Sequence, residues 1–577
     1  MKRLFLMSFI VALIPTLFYL YCLSPGVSWE DSGEFITTAS SLGIAHPPGH
    51  PLYILLAHLF TIHRAPQTIA HSVNLFSVIA AFLALFVFSM LLSIFSRSSP
   101  GERNVMLSFL ALLSITMLFA FSRTFWYVTE ISEVYSLHAL LTLCLFASLI
   151  LFAQQGGKYL LLFAYLFGLS LTNNVTIAYL TPAFVCFLIV ERKRIEKRSL
   201  IPSFLLFLLG ISLYCYVPVR ARFHPIFNWG DAATMKHFLH LLTAQEFSKG
   251  FLSLAYAETS LFPTLLHLLR EISFWAVIPL IFGFFILFKK KRTIATLFIV
   301  AIVSNITLSF LTGRGPDLNA YFLPSTTLFF LTIGYGIMYT IDRLKGRAWL
   351  SLPLLLVLSL TPLLLNHRHN CARGDTDARN YGIALMGWLP EKAVLLTENT
   401  NDYFILTYLS EVEPGKDVDI LYAPLFKETW YRERLVSSGF QWDEPLTPLS
   451  LARSSSREVF YTPGAGISLP IKVLSPYGPL FRIVIDEEPS KKQPFTLPPP
   501  VREQGKRRYA YLFARFGEFY FARKEYPAAI AAFEQAKGYD PFNGAIYHNL
   551  AILHKKLHNR KEAVFYEQKA KSLGFPK

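Results

Sequence analysis

Trp29-Glu30-Asp31-Ser32-Gly33-Glu34-Phe35 follows closely on an apolar stretch running from Leu4 to Tyr21, and His46-Pro47-Pro48-Gly49-His50-Pro51 comes soon after. The apolar stretch has the length of a helix that crosses a bilayer. Three carboxylates at the mouth of such a helix cost free energy unless they are solvated or put to use. The island therefore reads as the end of a first span and as a candidate site.

The rest of the chain extends the same pattern. Its 577 residues are 53% hydrophobic and only 16% charged, with mean hydropathy +0.41. Soluble proteins carry about 25% charged residues, so the deficit points to a multi-pass membrane protein. Abundant Phe (52) and Tyr (28) suit lipid-facing helices and interfacial belts. Apolar runs begin near Leu4, Ser72, Asn104, Tyr135, Lys158, Val175, Ile201, Ile272, Thr293, Tyr321 and Ala348, about eleven spans in all. The run Pro51 to Ile62 is short and reads as an interfacial lid helix or a half-buried span. Met1-Lys2-Arg3 and the following run resemble a signal peptide, but the run is long and lacks a small-x-small site before Ser24; an uncleaved first helix is expected.

The net charge of +16 reads as topology rather than nucleic-acid binding. Arg97/Arg103, Lys158, the run Glu191 to Arg198, Lys289 to Arg292, and Arg343/Lys345/Arg347 alternate with acidic turns. With the N-terminus in the cytoplasm, all five basic groups fall inside. The acidic island, Glu130/Glu133, the loop 220–271, the turn 313–317 and everything after Asn366 then fall outside. A bacterial inner membrane is the expected location. Five cysteines give no disulfide framework. Cys22, Cys144, Cys186 and Cys215 lie in apolar runs and read as inert core thiols, with Cys371 standing alone.

Residues 1–366 form the expected membrane domain. Past them, Val394 to Thr397 and Val418 to Tyr422 read as strands of an outer α/β domain over 367–490. Residues 491–506, with Pro498-Pro499-Pro500, read as a stiff linker. In 507–577, Gly517, Ala529 and Ala536 recur 34 residues later as Ala551, Ala563 and Ala570. That period resembles tetratricopeptide repeats, which serve as a structural cap or as a groove for a protein partner.

Several clusters can carry chemistry. If Glu30 to Glu34 is helical, Glu30 and Glu34 share a face and Asp31 points elsewhere. Transfer of a glycosyl group to a hydroxyl needs a carboxylate beside the acceptor oxygen, opposite the leaving group in an inverting displacement. His46 and His50 sit on a Pro-Gly turn that cannot be a helix, so they shape that turn or contact substrate. Arg220, Arg222 and Arg314 are outer cations; an arginine there snorkels or holds a lipid phosphate. Asn228-Trp229-Gly230-Asp231 offers an aromatic platform and a carboxylate. Phe125-Trp126 and Glu133-Val134-Tyr135 flank a surface loop. Asn174-Val175-Thr176 fits a glycosylation sequon at the membrane edge. No Walker loop, dinucleotide fingerprint, zinc spacing or nucleophile elbow is present.

Taken in order, Asp31-x-Gly33-Glu34-Phe35, His46-Pro47-Pro48-Gly49-x-Pro51, Trp126, Glu133-Val134-Tyr135, Pro218-x-Arg220 and Asn228-Trp229-Gly230-Asp231 resemble one membrane family. It includes the endoplasmic-reticulum O-mannosyltransferase acting on plexin-type domains, together with many bacterial members. The resemblance spans roughly residues 20–440. It implies a mostly α, GT-C-type glycosyltransferase with a polyprenyl-phosphate-sugar donor, a protein or envelope-glycan acceptor, and an active site on the outer face. It maps the family's acidic catalytic residue to Asp31, with Glu34 second. Glu30, His46, His50, Glu133, Tyr135, Arg220, Arg222, Trp229, Asp231 and Arg314 become substrate-binding candidates, and a divalent cation is an open option. One departure stands out. Relatives carry an acidic G-D-N-D-like turn where this chain reads Glu398-Asn399-Thr400-Asn401-Asp402, which weakens any role assigned there. The rival readings are a transporter or flippase of lipid-linked glycans, and a scaffold that recruits partners through the repeats.

Overall fold

The computed structural model describes residues 2–96, 105–245, 264, 266–272, 274–312, 318–413, 415–464, 466–485 and 495–575. The chain divides into two compact units. One comprises Met1–Pro25 and Thr38–Arg373, the other Gly26–Thr37 and Gly374–Lys577.

The first unit is helical. Among the described residues, six helices are long and apolar enough to cross a membrane: Lys2–Cys22, Pro66–Phe95, Tyr135–Gln155, Lys197–Ala221, Arg292–Thr312 and Trp349–Asn370. A seventh arises if Val105–Ala120 and Arg123–Thr129, bent by 75°, make one broken span. Against the eleven spans expected, length and composition give six or seven among the described residues. Lys158–Leu171 and Val277–Lys290 have 14 residues each, and a 3-10 turn opens the short apolar stretch Val175–Val190. Leu323–Leu344 is longer but is less apolar, with Pro324, Ser325, Thr326, Thr327 and Thr332 along it. The expected lid is the eight-residue helix Pro51–His58, with Leu52, Tyr53, Ile54 and Ala57 buried. Arg97, Arg103 and the turn 313–317 lie outside the described residues.

Packing in this unit relies on close approach of backbones. A Cβ on Gly168 would sit 2.2 Å from the Phe207 carbonyl oxygen, and one on Gly210 would sit 2.4 Å from that of Tyr165. Helices that have only lipid as the alternative neighbour gain dispersion contacts this way. Phe5, Leu6, Ile201 and Phe204 remain exposed, as lipid-facing side chains do.

Cys22 and Cys371 form a disulfide across 349 residues, with Cα atoms 4.6 Å apart. This corrects the reading of Cys22 as a core thiol and Cys371 as solitary. Helix Val105–Ala120 packs on both Lys2–Cys22 and Leu352–Asn370, so the pairing arises from helix packing and not from local spacing. Glu130, fully buried, holds the same corner. Its Oε2 accepts from the Ala372 N–H at 2.8 Å, its Oε1 accepts from Trp126 Nε1, and its carbonyl accepts from the Ser24 N–H at 3.2 Å. Those bonds offset the desolvation of a buried carboxylate.

The second unit is built on a five-stranded sheet of order β2-β1-β3-β5-β4. β1 (Val394–Thr397) pairs in parallel with β2 (Asp419–Tyr422) and β3 (Val459–Thr462). β4 (Leu474–Tyr477) and β5 (Leu480–Ile483) form a hairpin whose β5 runs antiparallel to β3. Helices Asp377–Trp388 and Thr400–Glu411 pack on one another, and the second lies against β2. From Glu503 the chain forms helices Glu503–Ala522, Tyr526–Tyr539, Gly544–Lys556 and Arg560–Ser572, packed as two successive pairs. The small residues recurring at 34-residue spacing are buried in both pairs.

Alkylation of the denatured protein should modify three thiols before reduction, Cys144, Cys186 and Cys215, and all five afterwards. Cys371→Ser should lower stability by roughly 2–4 kcal/mol, read as a melting shift in detergent. Five reactive thiols without reductant would rule out the bridge.

Candidate active site

The acidic segment belongs to the C-terminal unit and is ordered by it. Helix Ser32–Ser41 starts after the carboxylates Glu30 and Asp31, so Glu30 and Glu34 do not share a helical face. Glu30 sits outside the helix at φ 64°, the left-handed region that costs a non-glycine residue about 1 kcal/mol or more. Asp31 begins the first turn, its carbonyl accepting from the Phe35 N–H at 2.9 Å. Its carboxylate lies within 4.8 Å of that of Glu34. Asp31 is half-buried, whereas Glu34 is fully buried. The arrangement thus pairs Asp31 with Glu34, one partly accessible and one enclosed.

Gly33 explains why the motif needs a glycine. A Cβ there would fall 2.5 Å from the carbonyl oxygen of Phe404 and 2.7 Å from its carbon. The first turn of helix Ser32–Ser41 therefore lies directly on the backbone of helix Thr400–Glu411. Trp29, 2% exposed, packs its ring 5.4 Å from Tyr381.

The remaining candidates lie in the membrane unit. Gly49 has φ 94° and its N–H donates to the His46 carbonyl at 2.7 Å, so His46 to Pro51 is a tight turn leading into helix Pro51–His58. His50 is buried and its Nδ1 lies 2.6 Å from the Asn173 carbonyl. A carbonyl only accepts, so Nδ1 carries the proton and Nε2 the lone pair. Burial and the neighbouring His46 push the His50 imidazolium down to about 3, against the opposing pull of the Asn173 carbonyl. The His46 ring lies 5.1 Å from His50 and 6.4 Å from Trp229.

Trp229 is held by backbone pairing. The Ile44 N–H donates to the Phe227 carbonyl at 2.8 Å and the Trp229 N–H donates to the Ile44 carbonyl at 3.0 Å. Asp231 accepts from Asn228 Nδ2 at 2.9 Å. The parallel pairing of Ile44 with Asn228 thereby sets the turn that carries His46 and His50 beside the one that carries Trp229 and Asp231. Arg220 is committed to backbone. Its Nε and Nη2 donate to the carbonyls of Leu42 and Ser41 at 2.7 and 2.9 Å. Arg222 is exposed. Glu133 and Tyr135 are buried; burial, reinforced by the Glu133 charge, raises the Tyr53 hydroxyl, and the Tyr135 ring lies 6.3 Å from that of Tyr321, tilted at 48°. Arg314 lies outside the described residues. Asn174 caps the turn that follows it, its Oδ1 accepting from the Thr176 N–H at 3.0 Å, and is buried, which disfavours the sequon reading. Among residues the sequence reading passed over as site groups, Asn173 supplies the carbonyl that sets the His50 tautomer; its signal was only a polar pair at a helix end.

Residues 31–198 match the family model described as the protein O-mannosyl-transferase TMEM260 N-terminal domain. The chain is 32% identical over 269 residues to the protein O-mannosyl-transferase TMEM260 of Mus musculus, covering 42% of this chain and 35% of that protein. It is 22% identical over 486 residues to the protein O-mannosyl-transferase tmem260 of Dictyostelium discoideum, covering 72% and 57%. The chain thus spans less than two thirds of either relative. Among solved structures, ArnT from Cupriavidus metallidurans bound to undecaprenyl phosphate overlays with TM-score 0.49 at 12% identity, over 84% of this chain and 99% of that one.

Gly33→Ala should destabilise the C-terminal unit by about 1–3 kcal/mol, because backbone and not a flexible side chain must move; a melting point equal to wild type would show the contact to be looser. For His50, the folded value of about 3 lies below the ordinary 6.5, so between these values the unfolded chain binds a proton that the folded one refuses. Its contribution is fully present above about pH 6.5 and is lost as pH falls, at up to about 1.4 kcal/mol per unit. The melting difference between wild type and His50→Gln should therefore narrow from pH 7 to pH 4.

Proposed function

We propose that this chain is a membrane glycosyltransferase that moves a sugar, with mannose the first to test, from a polyprenyl-phosphate donor to a hydroxyl of a protein or an envelope glycan on the extracytoplasmic side. The observation that carries this reading is the Asp31–Glu34 carboxylate pair, at most 4.8 Å apart, at the start of the segment that matches the O-mannosyl-transferase family model. The Cys22–Cys371 bridge supports the side, because disulfides persist in oxidising compartments and not in the cytosol.

In this reading Asp31, the more accessible of the two, takes the proton of the acceptor hydroxyl. The acceptor oxygen bonds to the sugar's anomeric carbon, and polyprenyl phosphate leaves with the electron pair of the broken bond. Glu34 and Glu30 orient the acceptor. Cations stabilise the departing phosphate: Arg222 and the remaining donors of Arg220 are the groups assigned to it, with Arg314 third. His46, His50, Trp229, Asp231, Glu133 and Tyr135 are assigned to sugar and carrier contacts. A divalent cation shared by Asp31 and Glu34 is a variant of the same scheme, and the tetratricopeptide-like tail is assigned to protein binding. A flippase would translocate the lipid-linked sugar without cleaving it.

The test is purified full-length protein in liposomes with radiolabelled polyprenyl-phosphate mannose and a Ser/Thr-rich polypeptide. Wild type should transfer label and release polyprenyl phosphate. Asp31→Asn should reduce transfer by about a thousandfold or more while staying folded. Full activity in that variant rejects the base assignment, and lipid movement without cleavage favours the flippase. Loss of transfer to a chelator, restored by Mg2+ or Mn2+, assigns the metal.

A further inference from the structure

The strained Glu30 is held by two helices that belong to the far end of the sequence. Its N–H donates to Asn401 Oδ1 at 2.6 Å, and its Oε1 accepts from Gln504 Nε2 at 3.1 Å. Asn401 lies in the first turn of helix Thr400–Glu411, the helix whose backbone meets Gly33. Gln504 lies in the first turn of helix Glu503–Ala522.

That second helix is anchored where it starts. The carboxylate of Asp377 accepts from the Val501 N–H at 2.9 and 3.0 Å and from the Arg502 N–H at 2.7 Å. A carboxylate at this end satisfies donors that have no partner inside the helix and opposes its dipole. One turn after Gln504, Arg508 pairs with Asp402, which is 2% exposed. The Tyr509 ring lies 5.7 Å from Tyr381, which in turn carries Trp29. Gln504, Arg508 and Tyr509 thus meet, from one helix, the acidic segment and the elements that support it.

Resting on the function proposed above, we propose that Asn401 and Gln504 are positioning residues: they fix the left-handed Glu30 so that the next residue, Asp31, presents its carboxylate to the acceptor. Neither touches the reacting atoms. A non-glycine residue at φ 64° persists only where surrounding contacts over-determine it, and these two hydrogen bonds supply that constraint from both main chain and side chain. The helix that opens the C-terminal helical array is therefore a working part of the site and not only a support for the array.

The experiment uses the full chain in liposomes with polyprenyl-phosphate mannose and the same polypeptide, and compares Asn401→Ala, Asn401→Asp, Gln504→Ala and Asp31→Asn. Misplacing a catalytic group by about 1 Å costs on the order of a hundredfold. Asn401→Ala and Gln504→Ala should therefore each lower kcat at least about tenfold, with KM for the donor within about twofold of wild type. Asn401→Asp keeps an oxygen for the Glu30 N–H and should hold the rate within about threefold. Amide hydrogen exchange gives a readout independent of turnover: residues 28–35 should exchange faster in both alanine variants and at the wild-type rate in Asn401→Asp. Wild-type kcat in both alanine variants, beside an inactive Asp31→Asn, overturns the positioning role and leaves the base assignment standing. An active Asp31→Asn overturns the base assignment, and the exchange data then decide separately whether the two residues brace the segment. If an alanine variant fails to fold, Gln504→Glu, which sets two carboxylates against each other, should give the same loss of kcat; a wild-type rate there overturns the proposal.

Discussion

The carbonyl of Phe404 occupies the space where a side chain at position 33 would begin. That steric fact sets the position of the acidic segment. With glycine at 33, the first turn of one helix rests on the backbone of another, and Asp31 and Glu34 are carried by a surface that cannot adjust without moving main chain. Protein interiors resist such movement because they are packed as densely as organic crystals. The segment is close in sequence to the first membrane helix, yet it folds with Gly374–Lys577.

The charges in and around this segment are managed by distinct means. Asp402 and Arg508 neutralise each other in the interior of the C-terminal unit. Asp377 is spent on a helix terminus. In the membrane unit, Glu130 is saturated by N–H donors, and Arg220 is spent on carbonyls at the end of a helix. Each is a buried or half-buried charge compensated in place, as burial demands. Asp31, half-buried like Arg220, lies within 4.8 Å of a second carboxylate, that of Glu34.

Much of this was legible in the sequence, and the failures have physical reasons. The span signals, the polar island, the rigid Pro-Gly turn and the first two strands all rest on local pattern. The condition under which Glu30 and Glu34 would share a helical face is not met, because the helix begins at Ser32 and the left-handed residue before it is no glycine to announce the turn. β3, β4 and β5 are four residues each, no shorter than β1 and β2, but β3 pairs with a strand some sixty residues earlier, a pairing that no local pattern carries. The Glu398 to Asp402 turn looked like a weakened family feature. In the folded chain its Asn401 and Asp402 meet Glu30 and Arg508, contacts that only tertiary structure reveals. The cysteine pair was invisible for the same reason.

That pair also constrains how the protein is made. Cys22 emerges early in synthesis, and its partner is translated 349 residues later. The first helix must therefore wait, thiol reduced, while every intervening helix enters the bilayer. The bridge thus closes only when both ends of the membrane unit have reached the same side of the bilayer.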